Sequence, residues 1–183
     1  MNAAMIDTPL PDKPTILSVG TTTIYVGSFL NDGRIRRREA ERQTVNRLLR
    51  HAGLNPALLR HKEDGAPYIE GSDINISISH TDGLAAVAVD AGQAIGIDIQ
   101  TSTERLQSVA GRFLTSDERQ LYDSSIDTLL CAWTAKEAIF KLMGDDTLTI
   151  SAINLPALSA EILLSYFQLP GAMICVAKRS AHN

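Results

Sequence analysis

The sequence predicts an α+β fold made of two similar lobes, and three observations carry that expectation. A chain of 183 residues is long enough for one domain or for two small lobes that share a core. Strand patterns surround one amphipathic helix pattern in each half of the chain. No low-complexity stretch and no repeat of short fixed period interrupts this order, and the changeover falls near Ile95. Residues 1–14 therefore read as a tail, 15–94 as an N-terminal lobe and 95–183 as a C-terminal lobe.

Each element has its own signal. The tail carries three prolines and little apolar content. Thr15–Val19 and Thr22–Phe29 are β-branched and apolar on either side of Gly20, which is strand composition. Asn31-Asp32-Gly33 supplies turn chemistry. From Arg34 to Gly53, the apolar residues Val45, Leu48, Leu49 and Ala52 recur at helical spacing, and Gly53 stands where a helix stop belongs. Residues 73–82 alternate, with Ile74, Ile76 and Ile78 on one strand face and Asn75, Ser77 and Ser79 on the other. Asp82-Gly83 then turns the chain into the apolar strand Leu84–Val89. Ile95, Ile97 and Ile99 mark a further strand whose opposite face carries Gly96, Asp98 and Gln100. Thr115-Ser116-Asp117-Glu118 has the form of a capping box opening a short helix. Residues 126–143 give the strongest helix pattern, stopped at Gly144. Residues 147–155, 160–169 and 172–178 read as strands, with Pro170-Gly171 at the last turn.

Composition excludes several classes of function. Seventeen Lys and Arg against 21 Asp and Glu leave a formal net charge of −4, which argues against a general nucleic-acid binder. Cys131 and Cys175 are too few for a disulfide framework and have no CxxC neighbour, so both read as reduced core thiols. The longest apolar run, Leu84–Val89, is far short of the roughly 20 residues that span a bilayer. The first residues lack the charged and apolar regions of a signal peptide, so a soluble cytoplasmic protein with no membrane partner is expected. The net charge hides a contrast. Between Arg34 and Arg50 stand seven arginines and two glutamates, a local charge of about +5. That helix is either a solvated face laced by Glu–Arg pairs or a surface that meets phosphates or an acidic partner.

The helix at 126–143 carries the first candidates for chemistry. At 100° per residue, Lys141 falls about 40° and Thr134 about 60° from Glu137, forming a narrow polar seam on an otherwise apolar helix. Lys136 falls at about 260°, inside the apolar arc, where an ammonium must snorkel or find a partner. Glu137 and Lys141 are either an i,i+4 surface pair or the border of a cleft. Asp98, an acid between two isoleucines of a strand, is either an exposed strand-end aspartate or a ligand for a hard cation. Mg²⁺ takes one or two carboxylates plus substrate phosphates, and Asp98 with Glu137 supplies two, while Lys141 adds positive charge. Ser79 and His80 are adjacent in a strand and point to opposite faces, so they do not form a Ser–His catalytic pair. At a strand end they suit a phosphate or a hydroxyl group. His51, His61 and His182 have no acidic or cysteine neighbours at ligand spacing.

Taken in order, Gly65-Ala66-Pro67, ISISHT (76–81), IGIDIQ (95–100) and WTAKEAIFK (133–141) resemble the 4′-phosphopantetheinyl transferases, in their surfactin-synthetase-type branch. The 39 residues from Asp98 to Glu137 fit the spacing of the family's signature pair. The resemblance implies two lobes related by a pseudo-twofold, and a monomer. It implies a Mg²⁺-dependent transfer of the phosphopantetheine arm of coenzyme A to a serine of an apo acyl or peptidyl carrier protein, releasing adenosine 3′,5′-bisphosphate. By the same resemblance, Asp98 and Glu137 hold the metal and Glu137 serves as base for the serine. Lys141 meets the pyrophosphate, and Ser79 and His80 contact the 3′-phosphate of coenzyme A. Lys136 orients substrate or structure, and Arg42 is the arginine of the basic helix aligned with the 3′-phosphate site. The carriers are acidic, which gives the arginines a partner.

Two positions depart from the family pattern. Gln100 stands where an acid is frequent, offering an amide oxygen as a weaker metal ligand, and Ala66 replaces a basic residue. They leave open a catalytically weakened relative that binds coenzyme A or a carrier. A metal-dependent nuclease fits less well, because this chain has K-E and E-x-x-x-K on a helix instead of E-x-K on a strand.

Overall fold

The computed structural model describes residues 13–29, 36–122, 125–145 and 147–180. Most of the tail, the Asn31-Asp32-Gly33 turn, the first residues of the basic segment and His182 lie outside them. The elements in chain order are β1 (Thr15–Val19), β2 (Thr22–Ser28), α1 (Arg37–His51), β3 (Leu59–His61), β4 (Pro67–Ile69), β5 (Asn75–Thr81), β6 (Leu84–Asp90) and β7 (Ile95–Thr101). They continue with α2 (Arg105–Val109), α3 (Ser116–Tyr122), α4 (Ile126–Met143), α5 (Leu155–Leu158), β8 (Ile162–Leu169) and β9 (Ala172–Arg179). Among the described residues, no helix is long and apolar enough to cross a membrane.

Two antiparallel sheets organise the molecule, in the strand orders β1-β2-β6-β5 and β7-β9-β8, with β3 and β4 forming a separate hairpin. Alternation along the strands sorts the core into layers. Ile24, Val26, Ala86 and Ala88 of the first sheet pack on Ile97, Ile99, Ile174 and Val176 of the second. The opposite face of the first sheet, with Ala85 and Val87, receives Val45, Leu48 and Leu49 of α1. The opposite face of the second, with Met173, Cys175 and Ala177, receives α4. The order is therefore helix, sheet, sheet, helix, a mixed α and β architecture. Cys131 and Cys175 are free thiols, the second fully buried, as their apolar context implies.

Helix α4 takes the predicted bounds. Ser125 and Thr128 form a reciprocal capping box at its start, and Gly144 closes it in the left-handed conformation at φ 60°. Its approach to β7 depends on Gly96. A Cβ at that position would stand 1.9 Å from the Ala138 carbonyl oxygen and 2.7 Å from the Leu142 nitrogen, so only glycine lets the helix backbone lie on the strand. The glycine of the IGID segment thus sets how near the polar seam of α4 comes to Asp98.

One strand expectation is corrected. Residues 147–155 hold a 3₁₀ turn at Ile150–Ala152 and run into α5. Asn154 caps α5 by accepting the Ala157 N–H, and Pro156 sits in its first turn, a start signal that outweighs the alternation of Leu148 and Ile150. The short strands β3 and β4 and the one-turn helix α2 have patterns too brief for periodicity to mark.

Candidate functional site

Asp98, Glu137, Lys141, Ser79 and Gln100 come together where β5, β7 and α4 meet. Asp98 is buried in β7, and three donors from three elements hold its carboxylate. Lys141 Nζ donates to Oδ1 at 2.8 Å, Ser79 Oγ donates to Oδ1 at 2.7 Å, and Gln100 Nε2 donates to Oδ2 at 3.0 Å. Lys141 Nζ also donates to the Ile97 carbonyl at 3.0 Å, so the lysine is tied to the strand as well as to its acid.

Glu137 is half-buried and makes no hydrogen bond among the described residues. Burial raises the pKa of its carboxyl above the ordinary glutamate value; the nearby charge of Asp98 raises it further, and Lys141 opposes both. Two carboxylates repelling one another beside an ammonium is an arrangement that a hard divalent cation relieves.

A cleft of about 610 Å³ opens beside this cluster. Lys141 lines it, together with Phe140 and Met143 of α4, Ser77 and Ile78 of β5, and Lys62 and Tyr68 of the β3–β4 hairpin region. The size suits an extended small molecule, and the wall mixes polar and apolar groups, with Lys62 and Lys141 beside Asp64, Asp73 and Asp145. Lys62 went unnoticed in the sequence. The signal was the turn at Gly65, which implies a hairpin that folds Lys62 back beside Ala66, whose carbonyl accepts the Lys62 N–H.

Four expected site residues, Lys136, Ser79, His80 and Arg42, face partners within the protein. Lys136 is 0% exposed, and its ammonium spends all three donors inside the protein, on the Phe113 carbonyl, on Glu118 Oε2 and on the Ile153 carbonyl. A saturated, buried ammonium has no donor left for a ligand, so of the two roles the resemblance implies for Lys136, orienting substrate or orienting structure, these bonds fit the second. Glu118 also accepts the Leu155 and Thr115 N–H groups. Burial opposes the ionisation of Glu118, but these partners outweigh it and hold the carboxyl below its ordinary range. The pair ties α4 to the start of α3 and to the turns at Phe113 and Ile153.

Ser79 and His80 do point to opposite faces. The Ser79 hydroxyl, in a residue 4% exposed, donates to Asp98 and accepts the Ile99 N–H, so its hydrogen goes to a carboxylate of the protein where the resemblance implies a phosphate contact. His80 turns toward α1, where its Nδ1 lies 3.6 Å from Glu41 Oε1 and half of its side chain is exposed. Arg42 pairs with Glu39 through two hydrogen bonds on the exposed side of α1. The arginine beside His80 is Arg37, which donates to Glu41 at 2.8 Å and approaches Asp82 at 3.4 Å.

The comparisons bear on the segment that carries most of this site. Residues 94–168 match the family model of the 4′-phosphopantetheinyl transferase superfamily. The matched segment contains Asp98, Gln100, Lys136, Glu137 and Lys141, while Ser79, His80 and the first sheet precede it. No curated protein matches the chain. Among the described residues, no group of three or more His, Cys, Asp and Glu side chains gathers as a metal site. The candidate metal ligands are thus two carboxylates, Asp98 and Glu137, with the neutral amide of Gln100 beside them.

Proposed function

We propose that this protein transfers the 4′-phosphopantetheine arm of coenzyme A to a serine hydroxyl of an apo acyl or peptidyl carrier protein, with Mg²⁺, releasing adenosine 3′,5′-bisphosphate. One observation carries the reading: Lys141 both donates to Asp98 and lines the cleft, in a cluster where burial, and then the charge of Asp98, raise the proton affinity of Glu137. The family match over residues 94–168 supports phosphopantetheine transfer as the chemistry of these residues.

The donor set fits Mg²⁺. Glu137 has no hydrogen-bond partner among the described residues, and Asp98 Oδ2 accepts from a single donor, so each carboxylate keeps oxygen lone pairs for a cation that is usually held by one or two carboxylates plus phosphates. Asp98 and Glu137 would hold the ion, with the Gln100 amide oxygen as a third, weaker ligand. When bound, the ion neutralises charge on the pyrophosphate and on the leaving phosphate. The remaining steps belong to the chain. The cleft receives coenzyme A and shields its pyrophosphate from water. The carrier serine oxygen bonds to the phosphorus bearing the pantetheine arm while Glu137 accepts the hydroxyl proton. The bond from that phosphorus to the bridging oxygen breaks, and the bridging oxygen leaves with its electron pair on adenosine 3′,5′-bisphosphate. Lys141 places its ammonium against the phosphate oxygens as this charge builds.

In this reading residues 15–94 and 95–183 are two similar lobes related by a pseudo-twofold, as in the surfactin-synthetase-type branch, and the protein is a cytoplasmic monomer. The change of sheet between β6 and β7 and the outer positions of α1 and α4 support that division. Arg36, Arg38 and Arg50 are exposed on or beside α1, and their charge steers an acidic carrier. Gln100 and Ala66 favour a second reading, a weakened relative that binds coenzyme A or carrier without turnover.

Incubation with coenzyme A, Mg²⁺ and a panel of apo carriers separates the two. Transfer releases one adenosine 3′,5′-bisphosphate per carrier modified, and chelation of the metal stops it. Coenzyme A that is bound yet survives intact with every carrier selects the second reading.

A further inference from the structure

β5 and β7 lie side by side in different sheets and share no backbone ladder. Side chains do that work instead. The hydroxyls of Ser77, Ser79 and Thr81 accept the N–H groups of Ile97, Ile99 and Thr101 at 3.0, 3.3 and 3.4 Å. The row follows strand periodicity, since every second residue of β5 faces the same way, and it covers the open edge of β7.

The three hydroxyls are not equivalent. Among the described residues, that of Ser77 bonds only the Ile97 amide, and that of Thr81 also meets the Thr101 hydroxyl at 3.3 Å. Ser79 alone reaches a carboxylate, donating to Asp98 Oδ1 at 2.7 Å. A serine hydroxyl has one hydrogen to give. With the Ile99 N–H occupying a lone pair, that hydrogen is committed to Asp98, and burial keeps water from competing for it.

We propose that Ser79 is a positioning residue for Asp98, fixing the carboxylate so that Oδ2 is the oxygen presented to a divalent cation. The inference rests on the metal role of Asp98 given above and assigns Ser79 to that residue instead of to the phosphates of coenzyme A. Partners that orient a metal ligand are worth about 10–100-fold in metal affinity.

The experiment uses Mn²⁺ as probe and the full chain without coenzyme A or carrier, with free Mn²⁺ read by electron paramagnetic resonance. Ser79→Ala is expected to weaken Mn²⁺ binding by about 10-fold or more, Ser79→Thr to restore it, and Ser77→Ala to leave it unchanged although it loses a bond of the same row. In the transfer assay, Ser79→Ala then needs more Mg²⁺ while KM for coenzyme A stays at the wild-type value. Unchanged Mn²⁺ affinity in Ser79→Ala overturns the proposal, as does an equal loss in Ser77→Ala, or a raised KM for coenzyme A with the metal dependence intact. If Ser79→Ala does not fold, Ser79→Cys fills the same space with a weak donor. Several-fold weaker binding then supports the proposal, and wild-type affinity overturns it. A wild-type protein that binds no Mn²⁺ removes the metal reading and this inference together, whereas equal binding in wild type and Ser79→Ala removes this inference alone.

Discussion

Helix α4 carries two lysine–carboxylate pairs five residues apart, and the pairs do opposite things. Lys136 and Glu118 meet at 2.6 Å with both side chains wholly buried, and every donor of the lysine has a backbone or carboxylate acceptor. Lys141 and Asp98 meet at 2.8 Å, but the lysine side chain is 29% exposed and opens on the cleft. The chemical groups are the same. Position on the helix decides whether a pair closes a structure or remains available to a ligand. A buried pair with every lone pair and proton satisfied locks the chain around it, whereas a half-open one can exchange its partner for a phosphate.

Removing one member of each pair should separate the roles. Lys136→Ala leaves Glu118 buried without its cation and is expected to cost about 3–5 kcal/mol, read from urea unfolding. Gly96→Ala should come next, at about 3 kcal/mol, because the new Cβ meets helix backbone that cannot yield like a side chain. Its damage should fall on the Lys141 end of α4, so transfer should drop more than the loss of fold explains when measured well below the unfolding temperature. Lys141→Ala is expected to cost only about 1–2 kcal/mol, since Asp98 keeps the Ser79 and Gln100 donors. It should nevertheless slow transfer by about 100-fold or more through loss of charge at the phosphate.

The smallest stability effect should have the opposite sign. The folded-state pKa of Glu137 lies above its ordinary value, so the folded protein holds that proton more tightly than the unfolded chain does. The resulting penalty is absent below the unfolded pKa and complete once the pH has risen past the folded one. Glu137→Gln should therefore raise the Tm at neutral pH and leave it nearly unchanged in acid, while abolishing transfer. A lowered Tm at neutral pH would mean that Glu137 supports the fold.

The contrast was partly legible in the sequence. Periodicity placed α4 within its observed bounds, set Glu137 and Lys141 on one seam, and marked Lys136 as a cation in an apolar arc that needed a partner. It could not name that partner, because Glu118 and the carbonyls of Phe113 and Ile153 lie 17–23 residues away along the chain and are brought in by the packing of turns. Asp98 was legible as an acid out of place in a strand. The fate of Ser79 was not, since alternation says which face a hydroxyl occupies and leaves open whether a second strand or a ligand covers it. The segment 147–155 was misread because its apolar residues alternate, although Asn154 and Pro156 signalled a helix start.

The most direct measurement is the intact mass of an apo carrier protein after incubation with this protein, coenzyme A and Mg²⁺. Wild type should add one phosphopantetheine to the carrier serine, and Glu137→Gln should add none while remaining folded. Acyl and peptidyl carriers that all keep their apo mass in the presence of folded wild-type protein would contradict the assignment of Asp98, Glu137 and Lys141 to phosphopantetheine transfer.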